Sequence, residues 1–143
     1  MKIQQLSIFA ENKPGHIAAP CRLLAENGID IRALSVADTQ QFGILRIIVS
    51  EAERATKLLE AAHYVVKPTE VLAVEVEDRP GGLAKILSAF EGTAINIEYM
   101  YAFPFGRGGR AVLIFRFNDP DRAATALQAA GINVVTKSDL LGP

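Results

Sequence analysis

Two short segments of the chain combine proline, glycine and a polar residue in a pattern suited to binding an anion. They are Asn12-Lys13-Pro14-Gly15-His16-Ile17 and Asp78-Arg79-Pro80-Gly81-Gly82-Leu83. Proline fits the first turn of a helix, because its missing N–H would have no partner there. Glycine removes side-chain bulk, so a ligand could reach the backbone N–H groups of residues 15–17 and 81–83, where the helix dipole favours negative charge. The predicted chemistry is binding, with no covalent step.

Residues that could support catalysis are few. An enzyme needs a nucleophile with a base, paired carboxylates or clustered metal ligands. Cys21 shares a helical stripe with Ile17 and Leu24, which predicts a core position. His63 ends a predicted helix, where a cation suits the dipole. His16 has two open interpretations, a donor to a ligand or an exposed residue on the first helical turn. We therefore predict no catalysis, no metal and no cofactor.

The composition indicates a folded protein without a highly charged partner. Of 143 residues, 50% are hydrophobic and 22% are charged, which is typical of a core-forming chain. The net charge of −1 provides no field to attract nucleic acid or anionic lipid. No apolar run has the length of a signal peptide core or a membrane span. A single cysteine excludes an internal disulfide and fits a reducing compartment. A cytoplasmic location is expected.

An internal repeat organises the chain. At one constant offset, apolar residues, turn residues and a short strand motif recur. The matches are Leu6, Ile8 and Ala10 with Leu72, Val74 and Val76; Asn12, Pro14 and Gly15 with Asp78, Pro80 and Gly81; and Ile29-Asp30-Ile31 with Ile95-Asn96-Ile97. An insertion within residues 104–110 then changes the offset, and Arg54, Ala55 and Leu59 match Arg122, Ala123 and Leu127. Residues 1–68 and 69–143 are predicted to be two copies of one module.

Each copy has the pattern strand, helix, strand, strand, helix, strand. In the first copy the elements are 3–10, 17–27, 29–37, 42–50, 51–62 and 64–67, followed by a linker at Pro68-Thr69. In the second they are 71–77, 81–91, 95–103, 110–118, 119–130 and 133–137. This order is the ferredoxin-like βαββαβ plan, an α+β fold whose antiparallel sheet carries both helices on one face. Alternation places an apolar set on the opposite face: Phe9, Leu34, Val36, Met100 and Ala102.

Two segments of the second copy invite a nucleic-acid interpretation. Gly106-Arg107-Gly108-Gly109-Arg110 lies where the insertion occurs, and hairpin-turn chemistry explains its glycines. Its arginines could also contact an anionic effector. The strand at 110–117 superficially resembles the third strand of an RNA-recognition module, but Ala111, Val112 and Leu113 occupy the region where that module needs aromatic residues. RNA binding is therefore disfavoured.

Each half contains a strand, a turn with the pattern Asn/Asp-x-Pro-Gly-x-Ile/Leu, a helix, and a second strand that begins with Ile-Asp-Ile or Ile-Asn-Ile. This repeated pattern resembles the ACT domain. The likeness covers nearly the whole chain, once in each half. It implies a tandem ACT-type protein with amino acids bound at interfaces between modules. The ligand-binding residues that the resemblance implies are Asn12, Pro14, Gly15, His16, Ile17 and Asp30 in the first copy, and Asp78, Pro80, Gly81, Gly82, Leu83 and Asn96 in the second. Asp30, Asp78 and the doubled glycine depart from the common pattern, so the two sites are expected to be unequal.

The expected function is regulatory binding of a small molecule, most specifically an amino acid. A module of this size buries only roughly 60% of its unfolded surface, so residual apolar surface is expected to drive homodimer formation. The partner suggested by the resemblance is a metabolic enzyme. The alternative hypothesis is a ligand-free adaptor or oligomerisation module acting on such an enzyme. Neither nucleic acid nor a membrane is expected as a partner.

Overall fold

The computed structural model describes residues 2–38 and 40–142, and the chain divides into two compact units. One unit is Gln4–Thr69, and the other contains residues 70–142 together with residues 2 and 3. Each unit has antiparallel strands with helices packed on one face, so the predicted fold class is confirmed. The helices and strands of each unit follow the predicted βαββαβ order, with one added helix at the end of the chain.

The N-terminal unit contains β1 (Ile3–Glu11) apart from its first residue, α1 (Ala18–Glu26), β2 (Ile31–Asp38), β3 (Phe42–Val49), α2 (Ala52–Ala61) and the start of β4 (Val65–Glu77). The strand β3 pairs with both β1 and β2. Alternation along β1 directs Leu6 and Ile8 toward the helices, where they pack with Leu24 of α1 and Leu59 of α2. Burial of these apolar side chains positions the start of α1 beside the end of β1.

The C-terminal unit continues from β4 through α3 (Gly82–Ser88), β5 (Ile97–Arg107), β6 (Arg110–Phe117), α4 (Pro120–Ala129), β7 (Val134–Val135) and α5 (Lys137–Leu141). Its strand order is β7-β4-β6-β5. The core contains Leu72, Phe90, Phe115 and Phe117, and the Phe90 and Phe117 ring centroids lie 5.0 Å apart. The predicted hairpin between β5 and β6 is confirmed: Gly108 and Gly109 have φ angles of 54° and 75°.

Several predicted boundaries are wrong. Residues Pro68 and Thr69 lie inside β4, which continues through the predicted linker; proline is tolerated at strand edges, so it does not always end a strand. The helix predicted at 81–91 ends at Ser88, and the strand predicted at 95–103 runs from Ile97 to Arg107. The strand predicted at 133–137 is only Val134–Val135. Thr136 caps α5 by accepting a hydrogen bond from the Asp139 N–H at 3.2 Å.

The predicted apolar face is also wrong at most of its positions. Leu34 pairs with Ile47 and Met100 pairs with Phe115, and both partners are core residues on the helix-covered face. Val36 and Ala102 lie on that same face, since they pair with Leu45 and Leu113. The cause is a register shift early in β2 and another early in β5, because one extra residue moves every following side chain to the other face. Phe9, which pairs with Ile44, remains on the opposite face.

Candidate functional site

The first proline–glycine segment forms a compact turn between β1 and α1. Gly15 has φ 85°, a left-handed conformation that favours glycine. The N–H of Lys13 donates to the Glu11 carbonyl at 2.9 Å, and the N–H of His16 donates to the Lys13 carbonyl at 3.2 Å. The Ala19 N–H then donates to the Gly15 carbonyl, which joins the turn to the helix. The turn is thus held by its own backbone hydrogen bonds.

Two of the three amides expected to be open in this turn have no acceptor among the residues that the structure describes. The amide of His16 is occupied by the Lys13 carbonyl, so the prediction of an open N–H is wrong at that residue. Within the described part of the chain, the amides of Gly15 and Ile17 donate to no protein atom. The helix α1 also begins without a side-chain cap. Its positive end is therefore available to an anion through two N–H groups.

The His16 ring is folded back onto the protein. Its Nδ1 lies 2.6 Å from the Lys13 carbonyl oxygen. Because a carbonyl oxygen only accepts, Nδ1 carries a hydrogen and donates it in this contact. The ring lies against Gly43, where a Cβ would be 3.0 Å from Nε2. His16 therefore connects the turn to β3. Its ring is packed against the protein, so its position matches neither of the two interpretations in full, a donor to a ligand or an exposed residue on the first helical turn.

The hairpin joining β2 and β3 contributes residues that sequence reasoning missed. Asn12 donates from its Nδ2 to the Asp38 Oδ1 at 2.8 Å, and from its backbone N–H to the Gln41 carbonyl at 3.0 Å. Gly43 is paired with both Ala10 and Asp38 across β3. These contacts arise from strand register, so the turn residues of the first copy alone could not reveal them. Asp38 places a carboxylate beside the turn.

The surface above the first turn is an open depression of about 530 Å³. It is lined by Asn12, Lys13, Pro14, Gly15, His16, Ile17 and Ala18. All the residues predicted for the first turn therefore border one space, together with the two open amides. The depression is wide and exposed, so a bound small molecule needs further contacts to be enclosed.

The second turn has the same backbone form but different packing. Gly81 has φ 87°, and the Lys85 N–H donates to its carbonyl at 3.0 Å. The Gly82 N–H donates to the Arg79 carbonyl at 3.0 Å, so the prediction of an open amide is wrong here too. Gly82 is buried, and a Cβ at this position would overlap the Glu77 carbonyl oxygen. Gly82 is thus needed for close packing of α3 against β4.

Other parts of the second turn remain accessible. The amides of Gly81 and Leu83 donate to no protein atom among the described residues, and Leu83 is exposed. Asp78 donates its backbone N–H to the Gly109 carbonyl at 3.3 Å, which joins the turn to the hairpin of β5 and β6. Pro80 precedes Gly81 in the turn. The helix α3 has only seven residues. The two turns therefore have the same backbone form but differ in packing and in helix length.

Asp30 and Asn96 lie at the opposite end of their sheets from the turns. The N–H of Asp30 donates to the Ser50 Oγ at 3.2 Å, and the N–H of Asn96 donates to the Asn118 Oδ1 at 2.8 Å. The Asp30 carboxylate contacts Arg32 at 3.3 Å. Strand register places Asp38 rather than Asp30 near the first turn. Within one module, neither Asp30 nor Asn96 joins the turn residues.

The remaining candidate residues have structural positions. Cys21 packs against the core of the N-terminal unit, as predicted, and burial raises the pKa of its thiol. His63 follows α2 with φ 70°, which agrees with the predicted helix end. Among the described residues, no three His, Cys, Asp or Glu side chains are grouped so that they could hold a metal ion. In the same part of the chain, no helix is long and apolar enough to span a membrane.

Comparison with known proteins agrees with this architecture. A family model described as the ACT domain pair matches residues 1–142. A protein of known crystal structure from Bacteroides thetaiotaomicron is 35% identical, with 100% of this chain and 98% of that chain covered and a TM-score of 0.91. A comparison with curated proteins found no match to the sequence.

Two more distant structures share the fold. The ligand-free regulatory subunit of aspartate kinase from Thermus thermophilus is 21% identical, with 89% of this chain and 91% of that chain covered and a TM-score of 0.62. Clostridium acetobutylicum aspartate kinase is 16% identical, with 90% of this chain and 33% of that chain covered and a TM-score of 0.59. At these identities, the likeness extends to the fold alone.

Proposed function

Because the chain belongs to the ACT domain pair family, we propose that it is a regulatory protein that binds an amino acid and does not catalyse a reaction on it. The observation that carries this proposal is the first turn. Gly15 is left-handed there, and among the described residues the amides of Gly15 and Ile17 have no protein acceptor at the start of α1. The carboxylate of an amino acid is an anion that accepts from such N–H groups.

The first turn can supply only part of the binding energy. A helix terminus contributes roughly 0.3–1 kcal/mol to binding an anion, and up to about 2 kcal/mol when partly buried. A millimolar complex requires about 4 kcal/mol and a micromolar complex about 8 kcal/mol. The open depression of about 530 Å³ offers little enclosure by itself. The rest of the energy must come from groups that bind the ammonium and cover the side chain.

A second copy of the chain is the proposed source of those groups. Asp30 and Asn96 lie away from the turns of their own modules, so a contribution from them requires another module. The Asp30 carboxylate is exposed and suits a ligand ammonium group. The proposed active form is therefore a homodimer in which ligand binding and association are coupled. Its proposed partner is a metabolic enzyme, in keeping with the regulatory subunit of aspartate kinase among the similar folds.

A thermal-shift screen against the common amino acids tests this function. We expect one or more amino acids to raise the melting temperature, with a rise that grows as ligand concentration increases. Gly15→Ala should remove the rise, because a Cβ at Gly15 stands at the helix start and strains its left-handed backbone. Gly28→Ala is the matched control: Gly28 also has positive φ, at 70°, with open space around its Cβ. It should lower the basal melting temperature similarly but keep the ligand-induced rise.

Two results would contradict the proposal. A full amino-acid screen without any shift would favour the ligand-free adaptor. A ligand-induced rise that survives in Gly15→Ala would place the site elsewhere, whatever the result for Gly28→Ala. Since both substitutions add the same methyl group to a left-handed glycine, their difference reports on the site and not on backbone strain.

A further inference from the structure

The ring of His16 and the backbone of Gly43 are in close contact beside the first turn. A Cβ added at Gly43 would lie 3.0 Å from Nε2 and 3.1 Å from Cδ2 of that ring. Gly43 is buried in β3 and does not have a positive φ, so its backbone conformation does not require glycine. The Nδ1 of the same ring donates to the Lys13 carbonyl at 2.6 Å. Gly43 therefore provides the space in which the ring reaches this carbonyl.

The second copy has neither the ring nor the glycine opposite it. Along the sequence repeat, Gly82 is equivalent to His16, and Ala111 is equivalent to Gly43. Strand register agrees with the second equivalence, since Gly43 and Ala111 pair with equivalent residues of β1 and β4. The helix α3 begins at Gly82 itself, whereas α1 begins at Ala18, after His16. The ring and the glycine thus occur together, in the turn whose helix begins later.

Two acceptors beside the open amides of the first turn are paired with donors. The Lys13 carbonyl accepts from the backbone N–H of His16 at 3.2 Å and from its Nδ1 at 2.6 Å, which uses both lone pairs of the oxygen. The Asp38 Oδ1 accepts from the Asn12 Nδ2 at 2.8 Å. A carbonyl oxygen with a free lone pair would repel a carboxylate. The bond from the His16 ring therefore favours an anion at the neighbouring amides.

We propose that His16 is a positioning residue of the first turn, whose ring lies on Gly43, holds the Lys13 carbonyl and keeps the two open amides in place for an anion. Without the ring, this carbonyl keeps only the bond from the His16 backbone, and the peptide unit between Lys13 and Pro14 is less restrained. The ring acts on the ligand only through the backbone of the turn. This role rests on the function proposed above, because it concerns the binding of a carboxylate by the same amides.

A double-mutant cycle on stability tests the contact between the ring and Gly43. Gly43→Ala should raise the equilibrium constant for unfolding about fivefold, because the added Cβ displaces the ring and its hydrogen bond to the Lys13 carbonyl is lost. In the His16→Ala chain the same change should alter that constant by less than about twofold, since no ring is left to displace. Urea denaturation of the four chains measures both values. Equal effects of Gly43→Ala in the two chains would overturn the inference.

Backbone amide NMR of the full chain, titrated with sodium acetate at constant ionic strength, tests the role of the ring in binding. We expect acetate to shift the amides of Gly15 and Ile17 in the wild type. His16→Phe should reduce these shifts about threefold or more, because phenylalanine keeps a ring but has no donor for the carbonyl. His63→Phe is the matched control, since it removes the other histidine, which is exposed after α2. It should leave the acetate-induced shifts unchanged.

The double variant separates positioning from packing alone. The chain with both His16→Ala and Gly43→Ala should give the same weak acetate response as His16→Ala, although the stability cost of the Gly43 change is gone. A wild-type acetate response in that chain, or in His16→Phe, would overturn the inference and leave the proposed function intact. No acetate-induced shift at Gly15 and Ile17 in the wild type would instead overturn the first turn as an anion site, and with it the role of His16.

Discussion

At the scale of single residues, four glycines around the two turns have different roles. Gly15 and Gly81 have φ angles of 85° and 87°, with open space where a Cβ would stand, so their requirement is conformational. Gly82 has an ordinary φ but lies against the Glu77 carbonyl, so its requirement is steric. Gly43 leaves room for the His16 ring. Glycine therefore shapes backbone, packing and side-chain orientation around the two helix starts.

The steric role of Gly82 predicts a large loss of stability on substitution. Gly82→Ala should lower the free energy of unfolding by about 3 kcal/mol, because the added Cβ meets backbone that can move only with α3. Gly92→Ala is the control, since Gly92 has φ 73° and open space, and should cost about 1 kcal/mol. Urea denaturation measures both values. Equal losses would show that the contact with Glu77 relaxes without significant cost.

Burial of Cys21 predicts a weakly acidic thiol. Burial raises the thiol pKa above its usual value of 9.0, because a thiolate is poorly solvated in the core. The rate of alkylation by iodoacetamide as a function of pH should therefore have a midpoint above 9.0 in the folded protein and near 9.0 in urea. A folded midpoint at or below the urea value would mean that the thiol is solvated or near a cation.

At the scale of elements, the edge strand β2 explains the expected self-association. Leu34 and Val36 lie on the helix-covered face but are 53% and 48% exposed, and Phe42 at the start of β3 is 51% exposed. A strand with an unpaired edge and exposed apolar side chains is a favourable surface for association. The register shift at the start of β2 produces this surface, because it turns both side chains toward the helix side.

Charge placed on this strand should disrupt the proposed homodimer. The wild-type chain is expected to sediment at twice its mass of 15.4 kDa. The double variant Leu34→Lys and Val36→Lys should sediment at the monomer mass, because buried lysines without partners oppose association. Val65→Lys is the control, since Val65 is also exposed, at 67%, but lies on β4. An intact dimer in the double variant would place the interface on another surface.

At the scale of the whole molecule, the first residues of the chain are connected to its second half. Lys2 forms salt bridges with Glu70 at 3.0 Å and with Asp121 at 3.1 Å. Residues 2 and 3 accordingly belong to the same compact unit as residues 70–142. The predicted boundary between residues 68 and 69 also falls within β4. The sequence repeat and the compact units are therefore similar but not identical divisions of the chain.

The Lys2 salt bridges predict a stability difference at alkaline pH. Hydrogen bonds to Glu70, then to Asp121, raise the Lys2 pKa above 10.5. The stabilisation is fully present below pH 10.5 and is lost as pH rises through the higher folded pKa. Lys2→Met should be less stable than wild type at neutral pH, and the difference should diminish as pH rises above 10.5 and Lys2 loses its charge. Urea denaturation across this range measures it. Cys21 titrates in both proteins, so its effect on the stability difference cancels. A difference in stability between wild type and Lys2→Met that stays constant with pH would contradict the prediction.

The sequence alone determined the duplication, the βαββαβ order and the two glycine turns. These features depend on local chemistry: apolar periodicity selects strand or helix, and Asn/Asp-x-Pro-Gly specifies a turn before a helix. The capped start of α4 at Asp119 was predictable for the same reason.

Only the tertiary structure decided which predicted groups are accessible. It showed that the amides of His16 and Gly82 are occupied, that Asp38 rather than Asp30 lies beside the first turn, and that Leu34 belongs to the helix-covered face. Each of these depends on a turn's folded geometry or on strand register between residues distant in sequence. Local pattern carries no information about such contacts, because they form only when the strands pair and the helices pack.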